Sequence, residues 1–102
     1  MLTFQDCQKM KIGTKLDHNT TLVKHDVNIY GVKLYGTIVV FIHQNGDYTL
    51  NSGGWKTSTT KDRINKFSPF KVYVEKGKWF VGDKPFNDHM TLNVEKANVD
   101  HP

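Results

Sequence analysis

From Asn19 the chain falls into the two-residue alternation of half-buried strands. Thr20–Asp26 and residues 27–35 are rich in β-branched and aromatic residues, with Asp26 and Gly31 marking a turn and a bulge. Val27 and Ile29 fall on one face, while Tyr30, Val32 and Leu34 fall on the other. A bulge near Gly31 reconciles that slip. Residues 37–43 are apolar on both faces, the pattern of a central strand covered on both sides. Gln44-Asn45-Gly46-Asp47 predicts a hairpin, since Asn-Gly readily takes the positive φ angles of a type I′ turn. Residues 48–51 return, which gives an antiparallel meander of three or four strands.

The rhythm changes after Gly53-Gly54. A short helix is predicted over residues 60–67, with Thr59 as cap and Asp62 at capping-box spacing, ending before Ser68-Pro69. Ile64 and Phe67 anchor it, and Lys61, Asp62, Asn65 and Lys66 face water. Phe70, Val72 and Val74 then alternate with Lys71, Tyr73 and Glu75, and Lys76-Gly77-Lys78 turns the chain into Trp79-Phe80-Val81 as a second hairpin. Pro85 interrupts the segment after that hairpin, and Met90, Leu92 and Val94 suit a final edge strand. Residues 1–18 carry little pattern and read as an N-terminal arm or a lysine-blunted edge segment. The expectation is a β-rich α+β fold: an antiparallel meander, one short helix and a following β-hairpin, with partial closure into a barrel left open. Residues 19–94 form the single domain, and residues 95–102 form a polar tail.

Size narrows the choice of site. A chain of 102 residues buries only about two-thirds of its unfolded surface, so a shallow groove or an intersubunit site is favoured over a deep pocket. The net charge of +4 favours anionic partners but falls short of the basic stripe of a dedicated DNA binder. Cys7 is the one cysteine, which excludes an internal disulfide and a C-x-x-C metal site and fits a reducing compartment. Residues 1–6 lack the charged and apolar regions of a signal peptide, and the apolar run 38–42 is too short to span a bilayer. A cytoplasmic protein with no membrane partner is expected. Sheet edges at residues 20–26 or 90–94 leave a homo-oligomer open.

The densest chemistry lies at Ser52-Gly53-Gly54-Trp55-Lys56-Thr57-Ser58-Thr59-Thr60-Lys61-Asp62-Arg63-Ile64-Asn65, the junction between strand and helix. Gly53 and Gly54 let backbone approach a ligand closely. Thr57, Thr59 and Thr60 offer hydroxyls to phosphate oxygens, Lys56, Lys61 and Arg63 supply positive charge, and Trp55 offers a stacking face. The order is not that of a Walker loop. A purely structural reading competes: glycines for a tight turn, a threonine cap, and Trp55 packed beneath the helix.

Lysines and aromatics also interleave over residues 71–80, as they do on sheets that bind single strands and on any exposed amphipathic hairpin. The five histidines are scattered without metal-ligand spacing, so no metal and no cofactor is expected. No nucleophile pair or carboxylate pair is visible, and no catalytic residue is assigned. His43, at the end of the central strand, is the histidine to inspect.

Through the junction motif just quoted, together with Asn45-Gly46-Asp47 and the hairpin from Val72-Tyr73-Val74 to Trp79-Phe80-Val81, the chain resembles a group of small bacteriophage-encoded proteins over residues 19–81. The resemblance implies an accessory protein that redirects host machinery or blocks host defences by stoichiometric binding; with no catalytic group in view, the expectation is opposition to host defence by binding alone. On that view the partner is a phosphate-bearing ligand, either a nucleotide signal or a nucleic-acid segment, held at the junction. The alternative is a host defence protein or nuclease, occluded through exposed aromatics such as Tyr73 and Trp79. A small hydrolase or nuclease ranks third.

Overall fold

The computed structural model describes residues 1–94, so the tail expected at 95–102 lies outside the described residues. Five strands follow one another as an antiparallel meander: β1 (Lys15–Asp17), β2 (Thr20–Asp26), β3 (Ile29–Leu34), β4 (Thr37–His43) and β5 (Asp47–Leu50). The late strand β9 (Met90–Asn93) adds to β5, which gives the order β1-β2-β3-β4-β5-β9. A second antiparallel sheet contains β6 (Val72–Glu75), β7 (Lys78–Val81) and β8 (Lys84–Pro85). Neither sheet closes into a barrel: β1 and β9 are edges of the larger one, and Pro85 sits on an edge strand of the smaller.

The inner face of the large sheet is the one expected from Tyr30, Val32 and Leu34. Leu22, Val32, Val40 and Leu50 stand opposite one another across four strands and are all buried. The bulges are not at Gly31. Register shifts leave His25 as the extra residue of β2 and Val39 as the extra residue of β4. The second bulge puts Val39 and Val40 both inside, which accounts for the doubly apolar look of β4. Ile38 and Phe41 are only half-buried, so the outer face of this central strand is covered in part, with His25 and His89 against Phe41. Gly31 is paired regularly, and a Cβ there would lie 2.9 Å from the Ile38 side chain. The hairpin at Asn45-Gly46 forms, but as a longer turn: the Gly46 amide donates to the His43 carbonyl at 3.1 Å, and Gly46 takes the positive φ while Asn45 does not.

Helix α2 (Ser58–Phe67) lies on β3 and β4 and also meets β6, so it stands between the two sheets. Its cap is Thr57, not Thr59. Thr57 is extended, and its hydroxyl accepts the Thr60 amide at 3.2 Å. Ile64 and Phe67 are buried as expected, each contributing about 1.5–3 kcal/mol by burial.

The N-terminal segment takes part in the core. Helix α1 (Phe4–Gln8) begins with a capping box between Thr3 and Asp6 and buries Phe4 and Cys7. Leu2 is stitched on both sides: its amide donates to the Phe67 carbonyl, and its own carbonyl accepts the Tyr48 hydroxyl at 2.8 Å.

Candidate functional site

Beyond β5 the chain is held almost atom by atom. Buried Asn51 donates from Nδ2 to the Ile38 carbonyl, and its Oδ1 accepts the Gly53 amide at 3.1 Å. Ser52 donates from both its amide and its hydroxyl to Asp88 Oδ1, each at 2.7 Å, and its hydroxyl oxygen accepts the Gly54 amide. Partial burial opposes ionisation of Asp88, but the two Ser52 hydrogen bonds outweigh it and hold the carboxyl below its ordinary value. Gly53 and Gly54 both have positive φ, and a Cβ on Gly53 would stand 2.6 Å from Thr37 Cγ2. The first glycine is therefore dictated by its approach to the β3–β4 hairpin. The corner swings Trp55 outward, 69% exposed.

Tyr35, in the two-residue turn between β3 and β4, borders the same surface. It is 70% exposed and holds a φ of 53°, a left-handed conformation unusual for an aromatic residue. Tyr35 and Trp55 both line a groove of about 630 Å³. Buried Leu34 and Val39 form its floor, and Thr37, Thr57 and Thr59 bring hydroxyls to its walls. Those of Thr37 and Thr59 have no hydrogen-bond partner among the described residues. Thr57 and Thr60 are already engaged with each other, their hydroxyl oxygens 3.0 Å apart. The Ser58 and Thr59 amides open the helix and have no intrahelical acceptor.

Of the residues singled out in the junction, the groove brings together Trp55, Thr57, Thr59 and Thr60. Gly53 and Gly54 shape the corner without lining it. Lys56 turns instead toward a second hollow, and Lys61 is half-buried on the helix outside the groove. Arg63 works as a strut: Nε donates to Thr20 Oγ1 at 3.0 Å, Nη2 to the His18 carbonyl, and the guanidinium pairs with Asp17 and Asp62. Tyr35 and Thr37 went unseen because they arrive from a hairpin some twenty residues upstream (the Tyr35-Gly36 turn was their only local signal).

The expected aromatic anchors divide. Tyr73 is 37% exposed, stacked on Phe80, and its hydroxyl donates to the Gly82 carbonyl. Trp79 is only 7% exposed, edge-on to Phe86 with ring centroids 5.3 Å apart, so it belongs to the core and cannot serve as a surface anchor. His43 Nε2 lies 2.8 Å from Thr49 Oγ1, which lies 2.8 Å from Thr91 Oγ1. Burial lowers its pKa. Among the described residues no three His, Cys, Asp or Glu gather as metal ligands, and no helix is long and apolar enough to cross a membrane.

No curated protein and no solved structure matches this chain. A family model does, that of the Kyanoviridae Gp96 protein, over residues 3–95, wider at both ends than the phage resemblance read from the motif. A match of that extent makes the chain a member of the Kyanoviridae Gp96 family of small cyanophage proteins.

Proposed function

We propose that this phage protein acts by stoichiometric binding and holds a flat, phosphate-bearing ligand of the nucleotide class at the groove lined by Tyr35 and Trp55. The observation that carries the reading is that two exposed aromatic residues, Tyr35 and Trp55, line one groove beside a helix start. A base stacked on such a ring gains about 1–3 kcal/mol and is accepted whatever its sequence. Thr37 and Thr59 supply hydroxyls for its edge. The phosphate lies toward the Ser58 and Thr59 amides, where the helix dipole favours negative charge. Arg63 drops out of the ligand set because its donors are spent within the fold. Sequestering such a ligand is how the protein opposes a host defence that signals or acts through nucleotides.

The test is titration of the purified protein with linear and cyclic nucleotides, followed by tryptophan emission and by calorimetry. Quenching of Trp55 with one ligand bound per chain, lost in Trp55→Ala and weakened in Tyr35→Ala, is the expected result. No heat and no quenching at millimolar ligand overturns it.

The same exposed rings support a second reading, in which Tyr35 and Trp55 anchor a host defence protein. A host protein that is captured without nuclease sensitivity, lost with Trp55→Ala and not displaced by nucleotides, favours that alternative.

A further inference from the structure

The small sheet presents an outer face that the groove reading leaves unused. Strand alternation and register place Tyr73 and Glu75 of β6 on that face, with the exposed Lys71 just before the strand, Lys78 and Phe80 of β7 beside them and Pro85 of β8 beyond. Tyr73 and Phe80 stand directly opposite each other and stack, centroids 5.8 Å apart and planes 24° apart. The Tyr73 hydroxyl is tied to the Gly82 carbonyl at 2.7 Å, which fixes the outer ring of the stack in place. Beside Phe80 lies a hollow of about 450 Å³, flanked by Lys78 from the sheet and by Lys56 from the Gly-Gly-Trp corner.

The lysines here form no ion pair among the described residues, although the Lys56 charge helps to hold Asp88 ionised. The ion pairs among the described residues all involve Arg63 or Lys66, and Lys56, Lys71, Lys76, Lys78 and Lys84 take part in none of them. Lys78 stays unpaired even though Glu75 is its direct cross-strand neighbour. A fixed aromatic platform bordered by ammonium groups outside any ion pair matches the chemistry of a strand with exposed bases and a phosphate on each residue. An acidic protein surface would use the charges and leave the stacked rings idle.

We propose that the outer face of the β6–β8 sheet, with Lys56 at its margin, binds single-stranded nucleic acid. Bases stack on Tyr73 and Phe80, and phosphates lie along Lys71, Lys78 and Lys56. Trp55 lines the first groove and Lys56 the second hollow, so the two sites adjoin through consecutive residues. This second site extends the nucleotide reading without depending on it.

The experiment compares a labelled twelve-residue oligothymidylate, followed by anisotropy, with thymidine monophosphate, followed by Trp55 emission. The oligonucleotide is expected to bind at least tenfold more tightly than the mononucleotide. With three phosphates neutralised, its affinity falls about 20-fold between 50 and 200 mM salt. The double variant K71E/K78E, changed at two exposed lysines outside the groove, loses at least tenfold on the oligonucleotide and less than twofold on the monophosphate. Tyr73→Leu, which removes the stacking ring, weakens the oligonucleotide without altering the salt slope. Equal affinity for the two probes overturns the inference, as does an oligonucleotide affinity unchanged in K71E/K78E. Monophosphate binding with no oligonucleotide binding removes this site and keeps the groove; the reverse result keeps this site and removes the groove. Loss in K71E/K78E of a captured acidic protein, with no oligonucleotide bound, overturns the inference in favour of a protein partner.

Discussion

Asn65 grips both main-chain groups of Val72. Its Nδ2 donates to the Val72 carbonyl at 2.9 Å, and its Oδ1 accepts the Val72 amide at 2.6 Å. The side chain imitates one rung of a ladder and joins α2 to the first residue of the small sheet. Through it the helix that flanks the aromatic groove also sets the position of the lysine-bordered face.

Replacing Asn65 by Leu leaves two half-buried backbone groups unpaired. The expected loss is about 2–3 kcal/mol in a urea melt. Asn65→Asp keeps the acceptor and loses the donor, so it falls between the two. A variant as stable as the parent would mean that the small sheet is held by its apolar contacts alone.

Tyr35 is held in the left-handed region at the mouth of the groove. That conformation costs an L-residue about 1–2 kcal/mol and glycine almost nothing. Tyr35→Gly also gives up the hydrogen bond from Asn19 to the Tyr35 hydroxyl, an exposed and inexpensive loss. The variant is expected to unfold at a higher denaturant midpoint, by about 1 kcal/mol, and to bind nucleotide less tightly. Strain kept at an exposed ring is what a binding role predicts. If Tyr35→Gly binds undiminished, the ring has no part in the groove's work.

The two glycines of the corner differ in what they face. A side chain on Gly54 meets open space, while one on Gly53 runs into Thr37 Cγ2. Gly54→Ala carries only the backbone penalty of about 1–2 kcal/mol, and Gly53→Ala carries that plus a clash. Thr37→Ser removes the colliding methyl, so the pair Gly53→Ala with Thr37→Ser is expected to recover part of the loss. Simple additivity of the two changes would show that backbone strain accounts for the whole effect.

Much of this was legible where burial follows a period. Tyr30, Val32 and Leu34 announce the inner face of β3, and Ile64 and Phe67 announce the buried side of α2, because each set repeats at the spacing of its element. What resisted reading depended on partners far along the chain. Val39 and Val40 look like a strand covered on both faces until the bulge is seen. Thr57 and Thr59 are equally good caps in isolation, and the extended backbone at Thr57 makes it the cap. Asn65 reads as a solvated helix residue, although its partner is Val72. The two tryptophans part company for a similar reason: Phe86 gives Trp79 an edge to pack on, and the corner turns Trp55 away from the core.

Acid should loosen the contact between α2 and β1. Asp17 accepts a hydrogen bond from Lys66 Nζ and another from the His18 amide, and with Arg63 nearby its pKa falls from 3.8 to about 2. A folded pKa below the unfolded one means that stability is present above the unfolded value and lost as pH falls through the folded value. The loss therefore runs from about pH 4 down to about pH 2. Asp17→Asn is expected to be less stable than the parent at pH 6 and to converge with it near pH 2. His43, lowered by burial, adds a milder loss of the same sign as pH falls below the ordinary histidine range. Parallel stability curves for parent and Asp17→Asn would remove Asp17 from the account.

Cys7 offers a clock for the N-terminal segment. It is fully buried in α1, and burial, with the Asp6 charge adding, pushes its thiol up to about 11. At neutral pH it is a protonated thiol without access to solvent, so a disulfide reagent reacts only when the helix opens. Phe4 and Leu2 share its core, and Leu2 is tied to the Phe67 carbonyl and the Tyr48 hydroxyl. Opening α1 alone exposes that apolar surface and breaks both ties, so it is opposed by more than the fraying of a free terminus. Labelling of the parent is accordingly expected to accelerate with urea from the lowest concentrations, with the slope of global unfolding. Tyr48→Phe removes one tie at a cost of about 1 kcal/mol and should bring in a faster phase with a much shallower urea dependence, in proportion to the small surface that α1 alone exposes. A phase of that shallow slope already present in the parent would show that α1 opens by itself, and the first eight residues would then be an appendage instead of a part of the core.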